Sequence, residues 1–269
     1  MIKGDLLGKG RTAEVYAYGN NRVLKLFYDW CPAVWVEQEA AITRTLAEAG
    51  LPAPKFFEIV SVENRQGIVL QKLDGVSMME RMMVHPLRFR ECAKLMADLH
   101  LQIHANLATS LAPLKERLRK TILQIEPLDD NLRKFALDTL EALSDGKAVC
   151  HLDFHPGQIM LTKDGPKVLD WMTALKGDPQ ADVAQTLVLM KVASVANLGW
   201  RMRIFVGMTR GLIRRFYLRS YFHRNKEMDL TVVGRWMIPI AAARLNVKIP
   251  EEAKKIRRYL WREFRKKSA

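Results

Sequence analysis

Residues 151–182, HLDFHPGQIMLTKDGPKVLDWMTALKGDPQAD, set five aspartates and two histidines at fixed offsets among short apolar runs. Asp153 and Gln158 stand five apart in a loop that leads into a β-type run at 159–162. A second run at 167–170 follows the turn Lys163-Asp164-Gly165-Pro166 and ends on Asp170. A hairpin of that size folds Asp170 back beside the start of the loop, so Asp153, Gln158 and Asp170 converge. Oxygen ligands with few histidines suit Mg²⁺, which binds through one or two carboxylates together with substrate phosphates. A carboxylate left off the metal can accept a proton from a hydroxyl nucleophile. Positioning, a metal and an orienting base are what phosphoryl transfer from a nucleotide requires.

The first thirty residues supply a complement. LLGKGRTAEVYAY holds Gly8 and Gly10 between strand-like runs, and a glycine-rich hairpin lets backbone N–H groups approach phosphates. Lys25 follows in VLKLF, a cation flanked by apolar residues on a strand, where the bland reading is a solvated edge lysine. The helix-patterned segment after it carries Glu37 and Glu39, either of which can pair with Lys25.

These groups need elements to hold them. Runs at 14–18 and 22–27 flank the turn Gly19-Asn20-Asn21, AVWVEQEAAITRTLAEAG has a helical period closing at Gly50, and FFEIVSVENRQGIVLQKL reads as a hairpin turning near 64–67. Beyond Asp74-Gly75 the period becomes helical, with helices expected at 77–105, 111–125, 130–143, 181–198, 201–226, 230–246 and 251–267. The 159–170 hairpin is the one strand-like interruption. The pattern is α+β: a small sheet region with one helix over residues 1–73, a connection near 70–75, and a mostly helical region over 76–269 that contains loop 151–160 and segment 167–171.

In order, Gly8-x-Gly10, Lys25, a helix glutamate, HLDFHPGQIML, VLDW and GDPQADVA resemble the aminoglycoside phosphotransferase and choline kinase group, small-molecule kinases of the bilobal protein-kinase-like fold. The resemblance spans most of residues 4–190 and rests chiefly on HLDFHPGQ and LDW…GDP..D. It implies that Asp153 is the catalytic carboxylate facing the acceptor hydroxyl and that Asp170 chelates Mg²⁺ on the nucleotide phosphates. It implies that Lys25 holds the α- and β-phosphates and pairs with Glu39 rather than Glu37. The backbone of 70–73, with Gln71 and Leu73, becomes the adenine-binding segment. ATP is the implied donor, with GTP left open. Gln158 replaces the family's asparagine, a second metal ligand, keeping the amide oxygen on a stem one methylene longer. That substitution opens another reading, a catalytically weak or dead nucleotide-binding module that senses or recruits. A protein kinase proper is disfavoured, because Gly177-Asp178-Pro179 follows VLDW too soon for an activation segment.

Several residues also have structural readings. His151 and His155 suit hydrogen bonds that shape the loop. Asp182 suits an N-cap or a brace to the loop backbone, Asp178 a turn, Asp164 a solvated turn, and His100 a satisfied core histidine. Trp171 suits either packing or a wall of the site.

Composition sets the outer bounds. At 269 residues and 49% apolar, a sizeable core is available. Cys31, Cys92 and Cys150 are odd in number and far apart, which suits reduced thiols in a cytoplasmic protein. The apolar run 183–200 is broken by Gln185, Lys191 and Asn197, so a buried helix is expected there rather than a membrane span. The net charge of +14 lies wholly beyond residue 200, where 19 Lys/Arg face 5 Asp/Glu. Such a field favours anionic partners. For the terminal helix, with Ile256, Leu260 and Phe264 at helical spacing, docking through that stripe is preferred over contact with nucleic acid or an anionic membrane. The cluster Arg201, Arg203, Arg210, Arg214 and Arg215 argues for a neutral or anionic hydroxylated acceptor and against a polycationic aminoglycoside.

Overall fold

The computed structural model describes residues 3–108, 110–192 and 199–268, the side chains of residues 201, 202, 205 and 268 excepted. The chain forms two compact units, residues 1–81 with 156–173, and 82–155 with 174–269.

The first unit is built on an antiparallel sheet of order β1-β2-β3-β5-β4, with β1 Leu6–Lys9, β2 Ala13–Ala17, β3 Arg22–Phe27, β4 Phe56–Val62 and β5 Arg65–Gln71. The turn joining β4 to β5 is Glu63-Asn64, both at positive φ, a tight hairpin one step earlier than the sequence suggests. In β3 the two-residue period sorts the side chains: Leu24 and Leu26 fill one core with Tyr18 and Val69, while Phe27 packs the other with Val36 and Ala40 of α1 (Ala33–Glu48). Lys25 shares the Phe27 face, its Nζ 5.5 Å from that ring's centroid. A second, three-stranded sheet joins β6 (Gly75–Ser77), β8 (Ile159–Thr162) and β9 (Gly165–Val168). The hairpin assigned by sequence to the helical region therefore packs in the first unit, where Val168 N–H also donates to Pro52 O at 2.6 Å.

The second unit is helical around one short ribbon, β7 (Ala148–Cys150) paired with β10 (Leu175–Gly177). Strands β6, β7 and β10 are three residues each and escape the sequence reading. The helix expected at 77–105 is broken: α2 covers Met78–Val84, His85-Pro86 interrupts it, and α3 runs Phe89–His104. Then come α4 (Leu114–Gln124), α5 (Asp130–Glu141), α6 (Pro179–Val192), α7 (Trp200–Arg224), α8 (Leu230–Arg244) and α9 (Pro250–Ser268). Residues 193–198 of the expected 181–198 helix lie outside the described residues. In α9, Ile256 and Leu260 are fully buried and Phe264 meets Phe135, so this helix docks through its apolar stripe. Cys31, Cys92 and Cys150 form no disulfide among the described residues. Among the described residues, no helix is long and apolar enough to cross a membrane.

Candidate active site

Lys25 is held mid-strand between two carboxylates. Its Nζ donates to Glu39 Oε1 at 2.5 Å and to Asp170 Oδ1 at 3.1 Å. Glu39 lies on the buried face of α1 with Val36, Ala40 and Thr43, whereas Glu37 is exposed, so the helical period alone selects the partner. Burial disfavours charge on both members of the pair. For Lys25 the nearby carboxylates of Glu39 and Asp170 outweigh it and hold the ammonium above its ordinary range. For Glu39 burial prevails over the attraction of Lys25, and its carboxyl is held above the ordinary carboxylate range. Behind this group Arg65 fastens the end of β3, donating to Phe27 O at 2.7 Å and Leu26 O at 3.1 Å while pairing with Glu14 at 3.1 Å. The sequence reading passes over Arg65, which carries no signal until β3 and β5 are paired.

Asp170 follows β9 in the left-handed region, φ 58°, and keeps 37% of its side chain exposed. Gln158 ends a short 3₁₀ turn just before β8, and its carbonyl accepts Leu169 N–H at 2.8 Å, which ties the two segments together. Asp170 supplies a partly exposed carboxylate and Gln158 a side-chain amide in this unit, both oxygen donors of the type a hard divalent cation takes. Trp171 is buried and donates to Val168 O at 2.8 Å, so it is a packing residue.

The glycine hairpin is β1–β2. Gly10 N–H donates across it to Ala13 O at 2.8 Å, so that group is committed to the turn, while a Cβ on Gly8 would meet nothing within 4 Å. Gln71 closes β5 with its N–H on Lys55 O at 2.8 Å, and Leu73 lies beyond it in the segment before β6.

In the second unit, Asp153 sits in a loop held from beneath by Asp182. Asp182 is fully buried in the first turn of α6, and its carboxylate accepts His151 N–H at 2.5 Å and Leu152 N–H at 2.8 Å. It is a loop brace, and its oxygens are not spent capping its own helix. Burial opposes its charge, yet His100 and His104 hold the carboxyl well below its ordinary range. Their Nε2 atoms lie 3.0 and 3.2 Å from Asp182 Oδ2, the former off the line of a hydrogen bond. A carboxylate only accepts, so His104 carries its proton on Nε2, and the anion 3.0 Å away favours the same tautomer in His100. Each Nδ1 then accepts from a tyrosine hydroxyl of α7, Tyr217 to His100 and Tyr221 to His104, both at 2.6 Å. His100 stacks on Phe154 at 4.1 Å, and Thr186 donates to Phe154 O at 3.0 Å.

Asp153 itself remains partly exposed. Its N–H donates to His151 Nδ1 at 3.2 Å, and its Oδ2 is 3.8 Å from His155 Nε2. His151 is wholly buried and shapes the loop; His155 is partly exposed beside the carboxylate. Asp178 caps the start of α6, accepting Gln180 N–H at 2.8 Å and Trp236 Nε1–H at 3.2 Å. His104, Thr186, Tyr217 and Tyr221 are absent from the sequence reading. The histidine pair and the tyrosine pair are each spaced i,i+4, which puts each pair on one helix face but does not name the partner it meets.

The model of the phosphotransferase enzyme family matches residues 6–216. The chain belongs to that family. Among solved structures, this phosphotransferase is similar to a thermostable mutant of aminoglycoside phosphotransferase APH(4)-Ia in its apo form, at 16% identity and TM-score 0.69 over 99% of this chain and 96% of that one. It is similar to amicoumacin kinase hAmiN in complex with AMP-PNP, Ca²⁺ and Ami, at 14% identity and TM-score 0.63 over 97% and 88%. A choline/ethanolamine kinase family protein from Mesorhizobium loti aligns at 18% identity and TM-score 0.57 over 97% and 85%. No curated protein matches the chain. The fold is kinase-like and α+β, with an antiparallel-sheet N-terminal region and a helical C-terminal part.

Proposed function

We propose that this phosphotransferase moves the γ-phosphate of ATP to a hydroxyl of a small molecule that is neutral or anionic. The observation that carries the reading is Lys25 held between Glu39 and Asp170, three residues from separate segments, in a chain of the phosphotransferase family. Lys25, positioned by Glu39, binds the α- and β-phosphates as a desolvated point charge. Asp170 and Gln158 are the residues that hold a divalent cation, which when bound neutralises charge on the phosphates. ADP, AMP-PNP and Ca²⁺ in solved relatives support the nucleotide and divalent-cation parts of the reading. The segment 70–73, with Gln71 and Leu73, holds the adenine, and the β1–β2 hairpin at Gly8 and Gly10 covers the phosphates. Asp153 orients the acceptor hydroxyl and takes its proton as the bond to phosphorus forms. The Asp182 brace keeps that carboxylate in position, and His151 and His155 support it.

The acceptor class follows from charge. Several relatives are crystallised with polycationic antibiotics such as hygromycin B and streptomycin. A polycation needs carboxylates to meet it, and helix α7 offers none in 25 residues that include seven arginines. The side chain of Arg201 lies outside the described residues. A panel of sugars, phosphorylated alcohols and aminoglycosides, scored for acceptor-dependent ADP release, tests the reading. A sugar or anionic alcohol is expected to accelerate release. Turnover confined to aminoglycosides contradicts the acceptor class.

A further inference from the structure

Helix α7 is apolar on two sides. Its inner side buries Val206, Ile213, Tyr217 and Tyr221. Its outer side exposes Trp200 at 68%, Ile204 at 55%, Met208 at 72% and Leu212 at 42%, spaced four residues apart in one stripe. Gly207 and Gly211 lie on the same side, and a Cβ added to either would meet nothing within 4 Å, so the stripe is flat and open. A helix that is apolar all round is normally buried. This one carries cations instead: its sequence holds no acid and seven arginines, of which Arg224 pairs with Asp98.

The cationic field continues onto its neighbours. Lys191 of α6 has its ammonium pulled below the ordinary range, first by burial and then by Arg262, Arg214 and Lys266. Along α9, Arg258, Arg262, Arg265 and Lys266 surround Trp261. Glu263 pairs with Arg262 at 2.7 Å and Lys266 at 3.0 Å, while Arg258 and Arg265 make no ion pair among the described residues.

We propose that the outer face of α7, with the adjoining cations of α6 and α9, is a docking surface for an anionic phospholipid bilayer, on which the protein lies peripherally. An apolar stripe with a Trp at one end and arginines on its flanks matches the boundary between headgroups and acyl chains. The cations meet the negative surface potential, and no helix of the described residues is both long and apolar enough to span. Two copies of this chain would bring arginine against arginine across a two-fold interface, which disfavours self-association through it. Nucleic acid would use the cations but leave the aliphatic residues without a partner, because bases stack on aromatic rings rather than on Ile, Met or Leu. The inference goes beyond the phosphoryl-transfer reading; it shares the α7 arginines with the acceptor-class argument, and vesicle binding is read apart from turnover.

Sedimentation of the full chain with vesicles tests it. The protein is expected to pellet with phosphatidylcholine–phosphatidylglycerol vesicles, roughly tenfold less with phosphatidylcholine alone, and less as salt is raised. Ile204→Asp/Met208→Asp, at two exposed positions, is expected to cut binding at least about tenfold while the melting temperature stays within a few degrees. Arg258→Glu/Arg265→Glu is expected to weaken binding and flatten its salt dependence. The proposal is overturned by an absence of pelleting, by equal binding to neutral vesicles, or by vesicle binding that the Ile204/Met208 variant retains. A dimer in solution that this variant dissolves, or tighter binding of an RNA oligonucleotide that it leaves unchanged, overturns it as well.

Discussion

The carboxylate of Asp182 accepts the backbone N–H of Leu152 at 2.8 Å, and Leu152 sits in the left-handed region at φ 62°. A leucine at positive φ costs on the order of 1–3 kcal/mol and persists only where its surroundings hold it. Here the hold is a fully buried anion that also takes the His151 N–H, and the next residue in the chain is Asp153. The bent backbone at 151–152 thus sets where the Asp153 carboxylate points.

An Asp182→Asn substitution keeps one carbonyl oxygen but turns an NH₂ toward the second backbone N–H and removes the anion facing His100 and His104. The variant is expected to lose about 3 kcal/mol in denaturant unfolding. Its kcat is expected to fall more than its KM for ATP changes, because the brace positions Asp153 and does not touch nucleotide. An unchanged unfolding midpoint would contradict the brace.

The same cluster makes the fold acid-sensitive. Burial, then His104, pushes His100 down to about 4 against the pull of Asp182. Unfolded, a histidine titrates near about 6.5. Between those values the unfolded chain takes up a proton that the folded chain refuses. Stability is therefore complete above about pH 6.5 and falls as pH drops toward about 4, by on the order of 3 kcal/mol from this residue. Asp182, held well below its ordinary range, adds a further loss in the same direction below about pH 4. His104, His151, Tyr217 and Asp182 face His100, and His100→Gln leaves them in place. Melting followed across this range is expected to show a shallower acid slope in His100→Gln.

Lys25→Met is expected to lower kcat/KM for ATP by roughly 10²–10³ and to leave Glu39 buried beside a thioether. Glu39 Oε2 already has no hydrogen-bond partner, so loss of the ammonium destabilises the fold by about 1–3 kcal/mol. Adding Glu39→Leu is expected to restore most of that stability and none of the activity, since an apolar pair can replace a buried ion pair. Equilibrium melts and steady-state kinetics on the single and double variants separate the two effects. Activity recovered in the double variant would contradict the role of Lys25.

For the cation, Asp170→Asn is expected to weaken Mg²⁺-dependent ADP binding by about tenfold or more in calorimetry while metal-free binding changes little. Gln158→Asn, which shortens the stem and keeps the amide oxygen, is expected to retain turnover within a few-fold. Equal metal dependence in parent and Asp170→Asn would place the cation elsewhere.

Much of this arrangement can be read from local signals. Lys25 is a lone cation inside an apolar strand run, Glu39 falls on the apolar face of an amphipathic helix, and HLDFHPGQ with VLDW carries its own turn chemistry. The features that escape the sequence lack such signals. Strands of three residues, as at 75–77, 148–150 and 175–177, show no measurable period and exist because partners far along the chain pair with them. Tyr217 and Tyr221 each meet a histidine 117 residues away, a distance no local pattern spans. The break at His85-Pro86 is different, since proline there already disfavours a continuous helix over 77–105.

The most direct test is the turnover and nucleotide affinity of Asp153→Asn, measured on one preparation with the acceptor that gives the greatest ADP release. Turnover is expected to fall by roughly 10²–10⁴ while Mg²⁺–ADP binds as it does to the parent protein. Turnover within a few-fold of the parent, with nucleotide binding intact, would contradict the assignment of Asp153 as the group that receives the acceptor's proton.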